Sequence, residues 1–323
     1  MSDQSIFEEK KIRSSNIQDN LGNQLSKSEK EDLTDGGNCS CHKHDDRYLY
    51  KENTSSFTPD GDYEPATKKY VDDNVNSISF NVFGTGSDGD VTISSNTTLT
   101  RDMFYNNLTV NSGVTLNTGG YRIFVKGTLT NNGTISRKGV DGADGGTALS
   151  SGTLGGSGAG GTGGSSNGGN TSYSLGGSGG DGGDSSSCAG NGGTASSPSN
   201  FPYFLPYILM MMYNEGTTWY QIQGGAGGGW GSHDDGTQCV GSCNGGSGGG
   251  VIMIAAKEIV NNGTITAKGG DGESSYGGGG GGGVIALVYK SLTNSGTITA
   301  AHGFAGGGSA EPGQDGTIIY YQI

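Results

Sequence analysis

From Gly139 to Gly250 the chain is dominated by glycine and serine, and this stretch limits what the molecule can become. A residue without a Cβ adds nothing to an apolar core and loses more backbone freedom on folding than any other. The glycines keep no strict every-third-residue order, so a collagen triple helix is excluded. Two readings remain. One is a flexible tether. The other is a set of packed polyglycine strands in an extended left-handed conformation, tied by backbone hydrogen bonds, which the missing Cβ permits. The rest of the chain does not compensate. Of its 323 residues 67 are Gly and 30% are hydrophobic, against about 45–50% in ordinary globular domains. One large conventional core is out of reach. Stability must come from repetition, from backbone hydrogen bonding, or from burial between chains.

Repetition is visible. Leu129-Thr130-Asn131-Asn132-Gly133-Thr134-Ile135 recurs as Ile259-Val260-Asn261-Asn262-Gly263-Thr264-Ile265, and again as Leu292-Thr293-Asn294-Ser295-Gly296-Thr297-Ile298. A weaker copy runs from Leu108 to Leu116. Apolar strands, Val251–Ile254 and Val284–Val288, precede the last two copies. Short β-branched runs bounded by Gly, Asn or Ser begin at Val91, at Leu99 and at Ile123. This is all-β signalling. Each unit is too small to bury its own face, so copies must stack, as a β-solenoid or a repetitive β-sandwich.

Within the glycine-rich stretch lies the most apolar segment of the chain, Phe201 to Tyr213. It is too short to span a bilayer and is interrupted by proline. Glycine-rich surroundings cannot bury it. It is expected either to plug an interchain core or to form a contact surface. Tyr203, Phe204, Tyr207, Trp219, Tyr220 and Trp230 are the candidate residues for that trimer plug or receptor-binding surface.

The chemistry-bearing residues are few. His42 and His44 sit two apart in Cys39-Ser40-Cys41-His42-Lys43-His44-Asp45-Asp46-Arg47-Tyr48. In an extended strand they point to one face. One chain offers two imidazoles and reads equally as a solvated, charged loop, whereas three chains around an axis offer six, enough for an octahedral transition metal. From Tyr70 to Ile78 a narrow apolar stripe at helical spacing is marginal alone and suits three-fold packing, with packing on its own chain as the alternative. Cys239 and Cys243, with Cys188, read as free thiols, with pairing or metal binding as the sharper alternative. His233 and His302 are isolated in sequence. No nucleophile constellation and no phosphate loop stands out.

Two runs carry a resemblance. His42-Lys43-His44-Asp45-Asp46-Arg47-Tyr48-Leu49-Tyr50 and Ala66-Thr67-Lys68-Lys69-Tyr70-Val71-Asp72-Asp73 are similar to segments of bacteriophage tail fibres, and the glycine-rich stretch resembles glycine-rich phage adhesins. The resemblance implies a homotrimer in which His42 and His44 hold a metal, iron or zinc, on the three-fold axis. It also implies an N-terminal virion-attachment segment and display of loops to the host. The adjacent Cys39 and Cys41 depart from that pattern.

A net charge of −13 argues against nucleic acid and anionic membranes as partners. The polar start predicts no secretory leader, and no apolar run is long enough for membrane insertion. The expectation is a mainly β, elongated homotrimeric fibre made in the host cytoplasm and carried on the virion tail. Residues 1–35 form the attachment segment and 36–80 a trimeric shaft. A β domain spans 81–138, a glycine-rich insertion 139–250 and a repetitive β domain 251–323. Its partners are other tail or baseplate proteins and a host cell-surface receptor, which it binds without catalysis. A structural head or tail fibre without receptor binding and a polysaccharide-degrading spike are the alternatives.

Overall fold

The computed structural model describes residues 82–162, 167–183, 189–196, 222–234 and 239–323. All belong to the compact unit Asn81–Ile323. The expected shaft, with His42, His44 and the apolar stripe, lies outside the described residues, as do Tyr203, Phe204, Tyr207, Trp219 and Tyr220.

The strands are β1 (Asp90–Ile93), β2 (Thr97–Thr98), β3 (Met103–Tyr105), β4 (Asn107–Val110), β5 (Thr115–Asn117), β6 (Ile123–Asn131) and β7 (Thr134–Ser136), then β8 (Thr171–Ser172), β9 (Ala195–Ser196), β10 (Gly231–Asp234) and β11 (Cys239–Cys243), and finally β12 (Val251–Asn261), β13 (Thr264–Thr266), β14 (Val284–Asn294), β15 (Thr297–Thr299) and β16 (Thr317–Gln322). The pairs β8–β9 and β10–β11 stand separately, and two parallel sheets hold the other twelve strands. One runs β1-β4-β6-β12-β14-β16, with β3 also on β6, and the other β15-β13-β7-β5-β2. The Asn-Gly turns of the repeats therefore do not close hairpins. Each passes the chain from one sheet to the other, so the copies stack in register: Leu129 beside Ile259 beside Leu292, and Ile135 beside Ile265 beside Ile298.

The alternation of the strands explains the packing. Ile123, Val125 and Leu129 of β6, Ile252, Ile254 and Ile259 of β12 and Ile285 and Leu287 of β14 meet Leu116, Ile135 and Ile265 in a core between the sheets. The intervening residues Phe124, Val251, Met253, Ala255, Val284, Ala286 and Val288 face the other way and are also buried, with Leu154 and Ile222 from the glycine-rich stretch. The first half of β12 is thus apolar without a break because both faces are covered, as in parallel sheets generally. Gly127 marks a bulge in β6: pairing with β3 and with β4 differs by one residue across it. Its N–H donates to Asn106 O at 2.8 Å, and a Cβ there would collide with the Asn107 side chain.

One local expectation shifts. The strand expected at Leu99-Thr100 forms at Thr97–Thr98 instead. Leu99 is buried in the core and its N–H donates to Asn117 O at 2.9 Å, so it serves as the inward anchor after the short edge strand.

Candidate functional site

Beyond the sheets the described glycine segments form a lattice in four layers. The first holds 138–142, 268–272 and 301–304, joined by bonds such as Gly139 N–H to Lys268 O and Gly269 N–H to Ala301 O. The second holds 244–250, 277–283 and 311–316, joined by Gly249 N–H to Gly281 O and Gly282 N–H to Gln314 O. The third holds 155–161, 222–230 and 176–183, joined by Gly158 N–H to Gly225 O and Ala226 N–H to Gly177 O. The fourth holds 167–172 and 189–196, which include the parallel pair β8 and β9. Segments run parallel within a layer. Adjacent layers run antiparallel, as in Gly225 to Gly249 with Gly228 to Gly246, and Gly193 to Gly227 with Gly190 to Trp230.

The bonding has a period of three. Along 277–283, residues 278 and 281 donate to Gly229 and Ala226, residues 279 and 282 to Glu311 and Gln314, and residues 280 and 283 to Gly270 and Ala267. Their carbonyls accept from three further segments: Gly246 and Gly249, Gly177 and Gly180, and Gly303 and Gly306. Three residues per turn is the period of a polyproline-II-type helix, which makes no bonds within itself and so must find them outside. Here the surrounding segments supply them, satisfying backbone groups that cannot be buried unpaired. Glycine is required at particular central positions: a Cβ at Gly225, Gly249 or Gly281 would fall under 3.0 Å from a neighbouring carbonyl.

At the perimeter, where a segment has no neighbour, side-chain oxygens take the outward amides. Asp141 Oδ1 accepts from Asp271 N at 2.7 Å, and Asp271 Oδ1 from Phe304 N at 2.7 Å. Asp315 Oδ1 accepts from His302 N at 3.0 Å. On the fourth layer the amides of Asn191 and Thr194 are taken by Asn167 and Asn170, and that of Gly192 by Asp181 of the third layer, at 2.6–2.8 Å. An ammonium or guanidinium has no acceptor and cannot do this. The sequence carries the matching signal: between Gly139 and Ala256 there is no Lys or Arg. The charge of the chain is in part a consequence of closing the lattice.

The layers end away from the sheets in turns that hold one another. Glu273 N donates to Asn244 O, and Asn244 N to Glu273 Oε2 at 2.8 Å. Gly183 N donates to Tyr276 O, Ser275 N to Gly306 O and Glu311 N to Asp181 O. The antiparallel pair β10–β11 emerges here, with His233 paired to Val240 in register. Ser275 has φ 102°, a conformation costing on the order of 1–3 kcal/mol that is held by these neighbours. The Cys243 thiol is free, donates to Ser274 O at 3.4 Å, and is held above the ordinary thiol range by burial. We take this joined set of turns as the candidate contact surface.

Of the residues singled out from sequence, Trp230 is 3% exposed and its carbonyl accepts from Gly190. Its ring is enclosed by its own chain. His302 is not isolated in space: its Nδ1 lies 2.6 Å from Asp315 Oδ1. Among the described residues no group of three or more His, Cys, Asp or Glu gathers to hold a metal ion. A cavity of about 410 Å³ opens at the first coil, lined by Val91, Leu99, Met103 and Tyr105 with the ion pair of Arg101 and Asp88. Burial there pushes the Tyr105 phenol up to about 12. Comparison with family models, with curated proteins and with solved structures finds no match.

Proposed function

We propose that this chain is a homotrimeric bacteriophage tail fibre or adhesin that binds a bacterial surface receptor, without catalysis. The observation that carries the reading is the gathering of the turns at residues 142–146, 181–183, 273–276 and 304–310, with the start of β10, at one end of a glycine lattice. A framework built from backbone bonds leaves the turns free to vary while holding them rigidly, which is what a recognition surface requires. The tail-fibre-like runs between His42 and Asp73 support the assignment to a virion.

Two measurements test it. Sedimentation at micromolar concentration is expected to give the mass of three chains, and a stable monomer sinks the trimer. The purified protein is expected to block adsorption of a phage to its host strain. Failure to bind any bacterial surface, with the trimer intact, favours a structural virion fibre.

A further inference from the structure

Phe304 is the most exposed large apolar residue among those described, at 62%. It is nevertheless held firmly. Its N–H donates to Asp271 Oδ1 at 2.7 Å, its carbonyl accepts from Gly272, and the Lys268 ammonium lies 4.4 Å from the ring centroid. The position is the third in a stacked series with Asp141 and Asp271, at the same separations of 130 and 33 residues that relate the asparagines of the repeats. In the two earlier coils a carboxylate stands there to receive the next coil's amide. In the last coil the side chain is relieved of that task, and an aromatic ring stands in its place.

Polar groups surround the ring. His302 meets it edge-on, centroids 5.9 Å apart at 85°. The imidazole is fixed through Nδ1 by Asp315, whose side chain is 68% exposed. The backbone N–H of His302 is the leading cause holding the Asp315 carboxyl below the usual carboxylate range, and its ring adds to it. The Lys268–Asp271 pair, at 2.6 Å, stands beside it, with the ammonium over one face of the ring. A preset, solvent-facing ring flanked by immobilised carboxylates and an imidazole matches the demands of a pyranose. Such a sugar has an apolar C–H face that stacks on an aromatic and a rim of hydroxyls that donate to carboxylates.

We propose that Phe304, with His302 and Asp315, forms a saccharide-binding patch on the last coil, where the turn 304–310 of the contact surface begins. The patch adds a receptor chemistry to the adhesin reading, on which it rests for its biological setting.

Saturation-transfer NMR on the full chain with glucose, galactose, rhamnose and N-acetylglucosamine tests it. Transfer to the protons of one ring face of at least one sugar is expected. Phe304→Ala should weaken it about tenfold, the loss of one aromatic contact, and Phe304→Trp should restore it. The exposed position lets Phe304→Ala fold, which its melting curve checks. No transfer from any of the four sugars, or transfer unchanged in Phe304→Ala, overturns the patch. Binding of the wild-type protein to whole bacteria is measured alongside. If cells bind and sugars do not, the patch fails and the adhesin reading stands. If cells do not bind, the adhesin reading fails by itself.

Discussion

The side-chain amide of Asn131 donates to Oδ1 of Asn261 at 2.7 Å, across 130 residues of sequence. Asn261 in turn donates to Asn294 at 2.7 Å, so one residue from each repeat stacks into a ladder at the corner between the two sheets. Asn131 and Asn261 are fully buried. The ladder also explains the unpaired Oδ1 of Asn131: the next rung belongs to Val110, which has no amide to give.

Removing the middle rung should therefore cost more than removing the outer one. Asn261→Ala leaves the buried Asn131 amide with only its bond to Thr264 O and is expected to lose about 2 kcal/mol, whereas the exposed Asn294→Ala should lose about 1 kcal/mol or less. Urea unfolding of the two variants checks the order.

Glycine substitutions should sort by depth in the lattice. Gly281→Ala sets a methyl against the Gly177 carbonyl, and separating the segments is expected to cost about 1–3 kcal/mol. Ala226→Gly, at a neighbouring buried position that already accommodates a Cβ, should cost about 1 kcal/mol or less. Thermal melting distinguishes the two, and equal losses would contradict the close-packed arrangement.

Acid should loosen the perimeter. For Asp271, burial pushes the carboxyl up, but the Lys268 ammonium and the Phe304 amide outweigh it, and the net shift is downward. Asp315 is lowered by the His302 amide and ring, and Asp88 first by its hydrogen bonds with Arg101. A depressed folded-state pKa means that stability is present above the unfolded carboxylate value of about 3.9 and is lost as pH falls through the folded value. The melting temperature should be level near neutrality and decline below about pH 4. Asp271→Asn should flatten that decline.

The tail-fibre reading predicts a metal. Elemental analysis of the purified protein should find iron or zinc at one ion per three chains, and His42→Ala with His44→Ala should abolish it. Metal retained in the double variant rules these histidines out as ligands.

How much of this could be read from the residues differs between the two halves of the architecture. The repeats announce themselves because Leu129, Ile259 and Leu292 carry the same burden in successive coils and therefore resemble one another. Parallel stacking follows from that resemblance, although Asn-Gly invites a hairpin and here only turns a corner. The lattice is harder to read. Its period of three lies in which neighbour each N–H addresses, and glycines leave no trace of that in the sequence. The readable marks are indirect: Asp and Asn at the edges, and no Lys or Arg from Gly139 to Ala256. The recurrence of Lys138-Gly139-Val140-Asp141 as Lys268-Gly269-Gly270-Asp271 was a further mark, since both lysine–aspartate pairs occupy equivalent places in their coils.

The oxygens of Asp141, Asp181, Asn167 and Asn170 have one more effect. Stacks of bare peptide groups tend to recruit further strands from whatever chain drifts past, and fibrous aggregates grow that way. Here the borders named above are sealed by oxygens from the same molecule. Crowded copies find no free amide at those places to zip onto.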